Sequence, residues 1–366
     1  MRILCHCEGY LPDVIGGQEV LSAHLLGQLR QRGHEILVLT SCVAGRPAGR
    51  YSYEGLPLHK FEFGPVLQSG QMEGIVRVQK DVYDTVREFR PDVMHLNDAR
   101  VSSFFFLRRD VLRDIPRALT LHSPLRPFAK SGLQNRLMQE ANIIVAVSQS
   151  IANNAVETVP SIERKLIVIR NALPLPPVLP SPLPEAPVTF LCLGRIVEEK
   201  GINLAIEALA MLRAQGLKAN LVVLGDGPQK EALQQLVHER ALQEHVRFRG
   251  WVMPEDIPAA INEATAVLVP SRWKEPFGLV ALQAAQMGRP VIASSIGGLP
   301  EIVVHEETGL LVSPDDVTAL ATAMSELIRN ADLAKKMGDA ACSRVTCYFD
   351  FASLVVGYEK VFLSIQ

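Results

Sequence analysis

Seven of the fourteen residues from Pro174 to Pro187 are proline. Proline at that density removes backbone donors and holds the chain extended, so the segment cannot sit inside a sheet or a helix and reads as a linker. The same pattern of short apolar runs and amphipathic stretches leads up to this segment and restarts after it. At 366 residues the chain is also too long for one ordinary compact core. Four parts are therefore expected: an N-terminal domain over 1–172, the linker over 173–187, a second domain over 188–348, and a terminal helix over 349–366 that packs back across the domain boundary.

Before the linker, 2–5 (RILC) reads as a strand. Residues 17–32 read as a helix, with Val20, Leu21, His24, Leu25 and Leu29 at helical spacing and Gly33 as its stop. Residues 35–40 (EILVLT) are the next strand, and further buried strands are expected at 92–96, 118–121, 143–147 and 166–169. After the linker, strands are expected at 188–193 (VTFLCL), 220–224, 246–248, 266–269 and 290–293, with helices at 201–214 and 229–240. Apolar strands separated by helical stretches indicate parallel sheets covered on both faces. The fold class is thus α/β, with two Rossmann-like doubly wound domains facing each other across a cleft. Open α/β sheets bind ligands beyond the carboxyl ends of their strands, so that cleft is the expected active site.

Hydrophobic residues at 48% and charged residues at 21% suit a well-packed soluble protein. The net charge of −2 hides an asymmetry: residues 1–170 carry 21 Lys and Arg against 17 Asp and Glu, the remainder 16 against 22. Between Arg100 and Arg136 there are eight basic residues (Arg100, Arg108, Arg109, Arg113, Arg117, Arg126, Lys130, Arg136) and two acidic ones. This stretch reads first as a solvated helix face plus loop, and alternatively as a surface for an anionic acceptor or a membrane. The run Phe104-Phe105-Phe106 reads as a helix packed on the sheet rather than a membrane-docking element. No nucleic-acid partner is expected. Cys5-His6-Cys7 alternates across a strand and has no second ligand pair at zinc-site spacing, so the six scattered cysteines read as small core residues in a reducing compartment. The chain enters a strand at once and has no long apolar run, which predicts a cytoplasmic protein, with the inner face of the membrane as the alternative station.

Residues that carry chemistry concentrate between Leu193 and Glu301. After the first strand of the second domain, GRIVEEKG (Gly194–Gly201) places Arg195 and Lys200 beside a glycine turn. Two cations there suit a diphosphate, whose charge grows as it leaves. A second glycine turn, Gly225-Asp226-Gly227-Pro228, follows the next strand. In PSRWKEPFGLVAL, a helix begins near Leu279; its first free amides make an anion site, and Glu275 just before it can accept hydrogen bonds from sugar hydroxyls. Gly297-Gly298 allows one more close backbone approach. The lack of GxGxxG after the first strand argues against a nicotinamide enzyme.

The ordered series GRIVEEKG, GDGP, PSRWKEPFGLVAL, GRPVIAS, GGLPEIV and TGLLV resembles the donor-binding half of the retaining glycosyltransferases of family four (glycosyl transferases group 1), on the GT-B fold. Pro12-Asp13-Val14-Ile15-Gly16-Gly17-Gln18-Glu19, Gly33-His34-Glu35 and Thr120-Leu121-His122 extend the resemblance over nearly the whole chain. It implies a metal-free, retaining transfer of a hexose-type sugar from a nucleotide diphosphate donor (UDP first, GDP or TDP as alternatives) to a hydroxyl of a glycan, a lipid-linked or a small-molecule acceptor. Arg195 and Lys200 would neutralise the diphosphate, assisted by the amides of Gly16 and Gly17. Glu275 would hold sugar hydroxyls with the amides of Phe277, Gly278 and Leu279, and His122 would lie near the reacting face of the donor sugar. Gly194 would give the ligand backbone access, and Gly250-Trp251-Val252 would contact the base. No metal ligand set and no cofactor is implied.

One position departs from the family pattern. Eight residues after Glu275 a second glutamate is usual, binding the ribose hydroxyls; here it is Gln283. An amide offers one acceptor oxygen where a carboxylate offers two, so ribose recognition is expected to weaken and a 2′-deoxy nucleotide to be penalised less. The alternative is that glutamine simply substitutes. A nucleotide-sugar epimerase, or a degenerate relative that only binds the nucleotide sugar, is the competing functional reading.

Overall fold

The computed structural model describes residues 1–43, 45–125, 132–185 and 187–366. Arg126 and Lys130 of the basic stretch, most of the loop after His122, and Ala186 of the linker lie outside the described residues.

The chain divides into two compact units, Met1–Arg170 with Ala352–Gln366, and Asn171–Phe351. In the first, eight strands form one sheet: β1 (Arg2–Cys7), β2 (Glu35–Ser41), β3 (Gly49–Tyr53), β4 (Leu56–Phe61), β5 (Val93–Leu96), β6 (Arg117–Leu121), β7 (Ile143–Ala146) and β8 (Leu166–Val168). Their order is β3-β4-β2-β1-β5-β6-β7-β8, parallel except for the edge strand β3, which runs antiparallel to β4. Every residue of β5 and β6 is buried, as expected of strands covered on both faces. Strand direction reverses its sequential progression at β1, whose residues pair with β2 on one side and β5 on the other. The β3–β4 hairpin had no counterpart in the sequence reading. GRYSY is mostly exposed and edge-placed, so no apolar run announces it.

The helix Gly17–Gln31 follows β1 and ends before Gly33, whose φ of 92° is one that glycine adopts without strain. The terminal helix Phe351–Ser364 packs on this unit: Tyr358 and Phe362 lie 5.6 and 5.2 Å (ring centroids) from His95. Glu359 receives hydrogen bonds from Arg32 (2.6 Å) and pairs with His34 (2.8 Å) at the far end of the Gly17–Gln31 helix. The aromatic run, read as a helix packed on the sheet, lies in a short 3₁₀ helix, Val101–Phe106. Phe105 and Phe106 are fully buried, and Phe105 stacks on Phe63.

The second unit holds β9 (Val188–Leu193), β10 (Ala219–Leu224), β11 (Val246–Gly250), β12 (Ala266–Val269), β13 (Val291–Ser294) and β14 (Gly309–Val312), all parallel, in the order β11-β10-β9-β12-β13-β14. Phe190 and Cys192 of β9 pack with Leu209, Leu221, Leu268 and Met324 in an almost wholly aliphatic core. The progression reverses at the β9/β12 boundary, and the loops leaving these two strands carry the residues singled out above.

The proline-rich segment belongs to this second unit and is tied down along its length. Arg289, 1% exposed, donates to the carbonyls of Ser181 (2.8 Å) and Pro182 (3.2 Å), and Gln286 donates to Leu173 O at 3.0 Å. Asn262 donates to Leu179 O and accepts from the Ser181 amide. A proline-rich stretch held extended leaves its carbonyls without ladder partners, and three buried or half-buried side chains, Arg289, Gln286 and Asn262, supply them. A free linker would need none of this. No helix of the described residues is long and apolar enough to cross a membrane.

Candidate functional site

In the second unit the loop after β9 and the loop after β12 are brought together by a missing side chain. Gly201 has a φ of 63°, and a Cβ placed on it would lie 2.0 Å from Pro270 O, so no other residue fits there. That contact sets Lys200 against Ser271 and Glu275. Lys200 Nζ lies 2.6 Å from Glu275 Oε1, and Ser271 Oγ donates to the same oxygen at 2.7 Å. Ser271 is fully buried and the Glu275 side chain is 8% exposed. Both partners use Oε1; among the described residues Oε2 carries no hydrogen bond. The carboxylate is thus held by one oxygen and presents the other.

The expected backbone approach at Gly297-Gly298 is an approach to protein. A Cβ on Gly297 would lie 2.3 Å from Glu275 O, and the Gly298 amide donates to that carbonyl at 2.8 Å. The glycine pair therefore seats the Glu275 loop. The helix Leu279–Gln286 follows, capped by Gly278 with φ 109°. Among the described residues the amides of Phe277, Gly278 and Leu279 donate to no acceptor, as the first amides of a helix must unless something outside it accepts. Gln283 lies one turn into that helix, half-buried, its side-chain amide likewise unbonded among the described residues.

Arg195 is exposed and makes no ion pair among the described residues, unlike Arg272 one loop away, which is spent on Asp315 and Asn203. Gly194 has φ 133° and open space before it, and Gly250 has φ 74° and the same opening. Next to Gly250, an open hollow of about 480 Å³ is lined by Arg249, Trp251, Val252, Met253, Asp256 and Ala260. Trp251 is 52% exposed there, a large aromatic face turned to solvent. Asp226 is used locally, accepting from the Gly227 amide and Lys230 to fix its turn, and these bonds hold its carboxyl below the usual range.

In the first unit Gly16 is the extended residue that caps the helix Gly17–Gln31, and the amides of Gly16 and Gly17 find no acceptor among the described residues. The loop bearing them is anchored by Asp13, which the sequence reading quotes in a motif but gives no role. Its carboxylate, 3% exposed, receives Lys60 Nζ of β4 at 2.6 Å and is also paired with Arg46. His122, at the end of β6, is buried, with Nε2 3.0 Å from Asn97 Oδ1. Burial lowers its pKa to about 4, Asp98 pulling the other way and Arg100 adding to the depression. Asp98 pairs with Arg100 at 2.7 Å, and Glu8 binds Ser102 and, at 3.3 Å, Ser41. Glu8, Asn97 and His122 leave the carboxyl ends of β1, β5 and β6, the strands around the reversal point. The sequence reading named His122 and gave no role to Asn97 or Ser271, single polar residues marked only by what they touch.

Residues 15–175 match the model of Glycosyltransferase Family 4, and residues 180–344 match that of Glycosyl transferases group 1. The chain is 29% identical to a glycogen synthase of Mycobacterium tuberculosis, over 100% of this chain and 95% of that one. A GDP-mannose-dependent alpha-(1-6)-phosphatidylinositol monomannoside mannosyltransferase of the same organism is 37% identical over 45% of each chain. Among solved structures, sucrose-phosphate synthase from Thermosynechococcus elongatus superposes with a TM-score of 0.83 at 22% identity, covering 99% of this chain and 98% of that one. Anabaena HepE, in complex with UDP and glucose, superposes with a TM-score of 0.79 at 21% identity over the whole of both chains. The two doubly wound parallel-sheet units are those of the GT-B fold. With its two halves matched in turn by both models, the protein belongs to the family-four glycosyltransferases, the glycosyl transferases of group 1.

Proposed function

We propose that this glycosyltransferase moves a hexose-type sugar from a nucleoside diphosphate donor to an acceptor hydroxyl with retention at the anomeric carbon and without a metal ion. The observation that carries the reading is the Lys200–Glu275–Ser271 cluster. Glu275 is anchored through Oε1 and keeps Oε2 for a sugar hydroxyl, while Lys200 has two further N–H donors to give a phosphate oxygen. Arg195, unpaired among the described residues, supplies a second cation. Phe277, Gly278 and Leu279 add amides, and Gly16 and Gly17 offer the same in the first unit. The hollow beside Trp251 suits a base, and UDP is the first choice of nucleotide.

Among the described residues no carboxylate is placed as a nucleophile, which favours attack from the face the diphosphate leaves. The acceptor oxygen bonds to the anomeric carbon as the bond to the phosphate oxygen breaks, and that phosphate oxygen takes the acceptor's proton. The protein's share is to position the partners and to meet the growing negative charge. A family relative that binds nucleotide sugar without turnover, or one that epimerises it, would form no acceptor-linked product.

Membrane contact through 100–136 gains little support. Phe105 and Phe106 are buried, Arg100 is paired with Asp98, and Arg117 and Arg136 both pair with Glu140. Flotation with anionic liposomes should leave the protein in the pellet fraction.

The test of the function is product analysis with a panel of nucleotide sugars and hydroxyl acceptors in the presence of EDTA. An acceptor-linked sugar with the donor's anomeric configuration, by NMR, is expected. Inversion, or activity abolished by EDTA and restored by a divalent cation, would contradict the reading.

A further inference from the structure

A chain of hydrogen bonds in the first unit fixes the protonation geometry of His122. It starts at the carbonyl of Gln18, in the first turn of the helix Gly17–Gln31. A carbonyl can only accept, and Ser22 Oγ lies 2.7 Å from it, so the hydroxyl proton of Ser22 is spent there. The other orientation would set two oxygens at 2.7 Å with no proton between them. Ser22 Oγ must then accept from its other neighbour, the side-chain nitrogen of Asn97 at 2.7 Å. Asn97 Nδ2 also lies 3.6 Å from Cys7 Sγ, and Gln18 Nε2 donates to Asn97 O at 3.1 Å, which holds the residue from both ends. With its nitrogen committed, Asn97 turns Oδ1 to His122 Nε2 at 3.0 Å, and an amide oxygen can only accept.

We infer that Asn97 is a positioning residue that holds His122 as the neutral Nε2–H tautomer, so that the imidazole offers the lone pair of Nδ1 to a hydroxyl of the substrate rather than a positive charge to its phosphates. The assignment of that hydroxyl to a sugar rests on the proposed function; the tautomer does not. Nothing else among the described residues hydrogen-bonds to the ring. Asn97 and Ser22 are both buried, so the relay is sheltered from competing water. The charged neighbours, Asp98 and Arg100, are paired with each other and act on the ring in opposite senses, and burial keeps it neutral. The division of labour is chemical: cations in the second unit answer phosphate charge, and a neutral acceptor in the first selects a group with a proton to give.

Long-range proton–nitrogen NMR on protein labelled with ¹⁵N-histidine tests this directly, with His122 assigned by its disappearance in His122→Phe. At pH 7 the expected pattern is a protonated Nε2 and an unprotonated Nδ1. A protonated Nδ1, in either the neutral or the imidazolium form, overturns the inference with no variant needed. Ser22→Ala should blur the pattern into a mixture of tautomers, and Ser22→Thr, which keeps the hydroxyl, should restore it; an unchanged pattern in Ser22→Ala also overturns it. Asn97→Asp should raise the His122 titration by about one unit or more and carry the acid limb of kcat/KM upward with it. A merely structural Asn97 would lower activity equally at all pH values. The expected tautomer in a protein that forms no glycosyl product would sink the proposed function and leave the relay standing.

Discussion

The two units share a sheet plan and differ in what they put at its carboxyl edge. Both sheets reverse progression at their first strand, β1 or β9, and both hang polar side chains from the loops around that reversal. In the second unit the cluster is ionic: Lys200 against Glu275, with the exposed Arg195 on the same loop as Lys200. In the first it is a neutral relay through Ser22, Asn97 and His122, in a unit with two further buried histidines, His6 and His95. A doubly wound sheet dictates where a ligand is met, not with what chemistry. On the proposed function the second unit would meet charge that develops during reaction, which needs fixed countercharge. The first would meet hydroxyls, which need oriented donors and acceptors and no net charge.

The largest effects should come from dismantling the ionic cluster. Lys200→Ala and Glu275→Ala are each expected to lower kcat/KM by about 10²–10³-fold, the scale of losing one group that stabilises developing charge. The double variant should lose little more than either single one, since each removes the other's partner. Steady-state kinetics on the four proteins checks this, and simple additivity would show that the ion pair has no joint role.

Acid should separate the two units next. Burial lowers the pKa of His6 and His95 to about 3 and of His122 to about 4. Unfolded histidine takes up its proton near pH 6.5, so between there and pH 4 the unfolded chain binds protons that the folded first unit refuses. Its stability therefore falls as pH falls, by about 1.4 kcal/mol per pH unit for each ring. The histidines of the second unit, His238, His245 and His305, are exposed or half-buried. Pulse-labelled hydrogen exchange after incubation at pH 4.5 should open peptides of 1–170 first. Tryptophan fluorescence gives a second channel, since Trp251 and Trp273 are the only two tryptophans and both belong to the second unit. Earlier opening of the second unit would break the contrast.

A smaller effect is expected at Gln283. Restoring the acid in Gln283→Glu should tighten ribonucleotide binding several-fold relative to the 2′-deoxy form, the scale of one charge-assisted hydrogen bond of about 1 kcal/mol. An unchanged ratio by calorimetry would mean that glutamine substitutes fully. The smallest effect concerns the terminal helix. Arg32 and His34 hold the Glu359 carboxyl down at about 2. That contribution is present above the ordinary glutamate pKa and is lost as pH drops through about 2. Because the group is close to solvent, Glu359→Gln should cost no more than about 1 kcal/mol at pH 7 by denaturant melting.

Much of this was legible in the sequence because parallel strands buried on both faces read as unbroken apolar runs. The runs at 143–147, 266–269 and 290–293 fall on β7, β12 and β13 to within a residue. The exposed edge strand β3 had no such signature. The proline count marked a break in the pattern, but nothing local predicts that Arg289, about a hundred residues on, satisfies its carbonyls. At the site, charged residues beside glycine turns stood out, and Arg195, Lys200 and Glu275 were named from type and spacing. Asn97, Ser22, Ser271 and Asp13 were not, since each matters through a partner brought from another strand.

The central claim is that Lys200 and Glu275 form the site for a nucleoside diphosphate sugar. Calorimetry with UDP, GDP, ADP and TDP, in one buffer without added metal, on the wild type and Lys200→Ala tests it most directly. Selective binding of one nucleotide by the wild type, weakened at least tenfold in Lys200→Ala, roughly 1.4 kcal/mol, is the predicted result. No binding of any of the four, or equal binding by both proteins, would contradict the account.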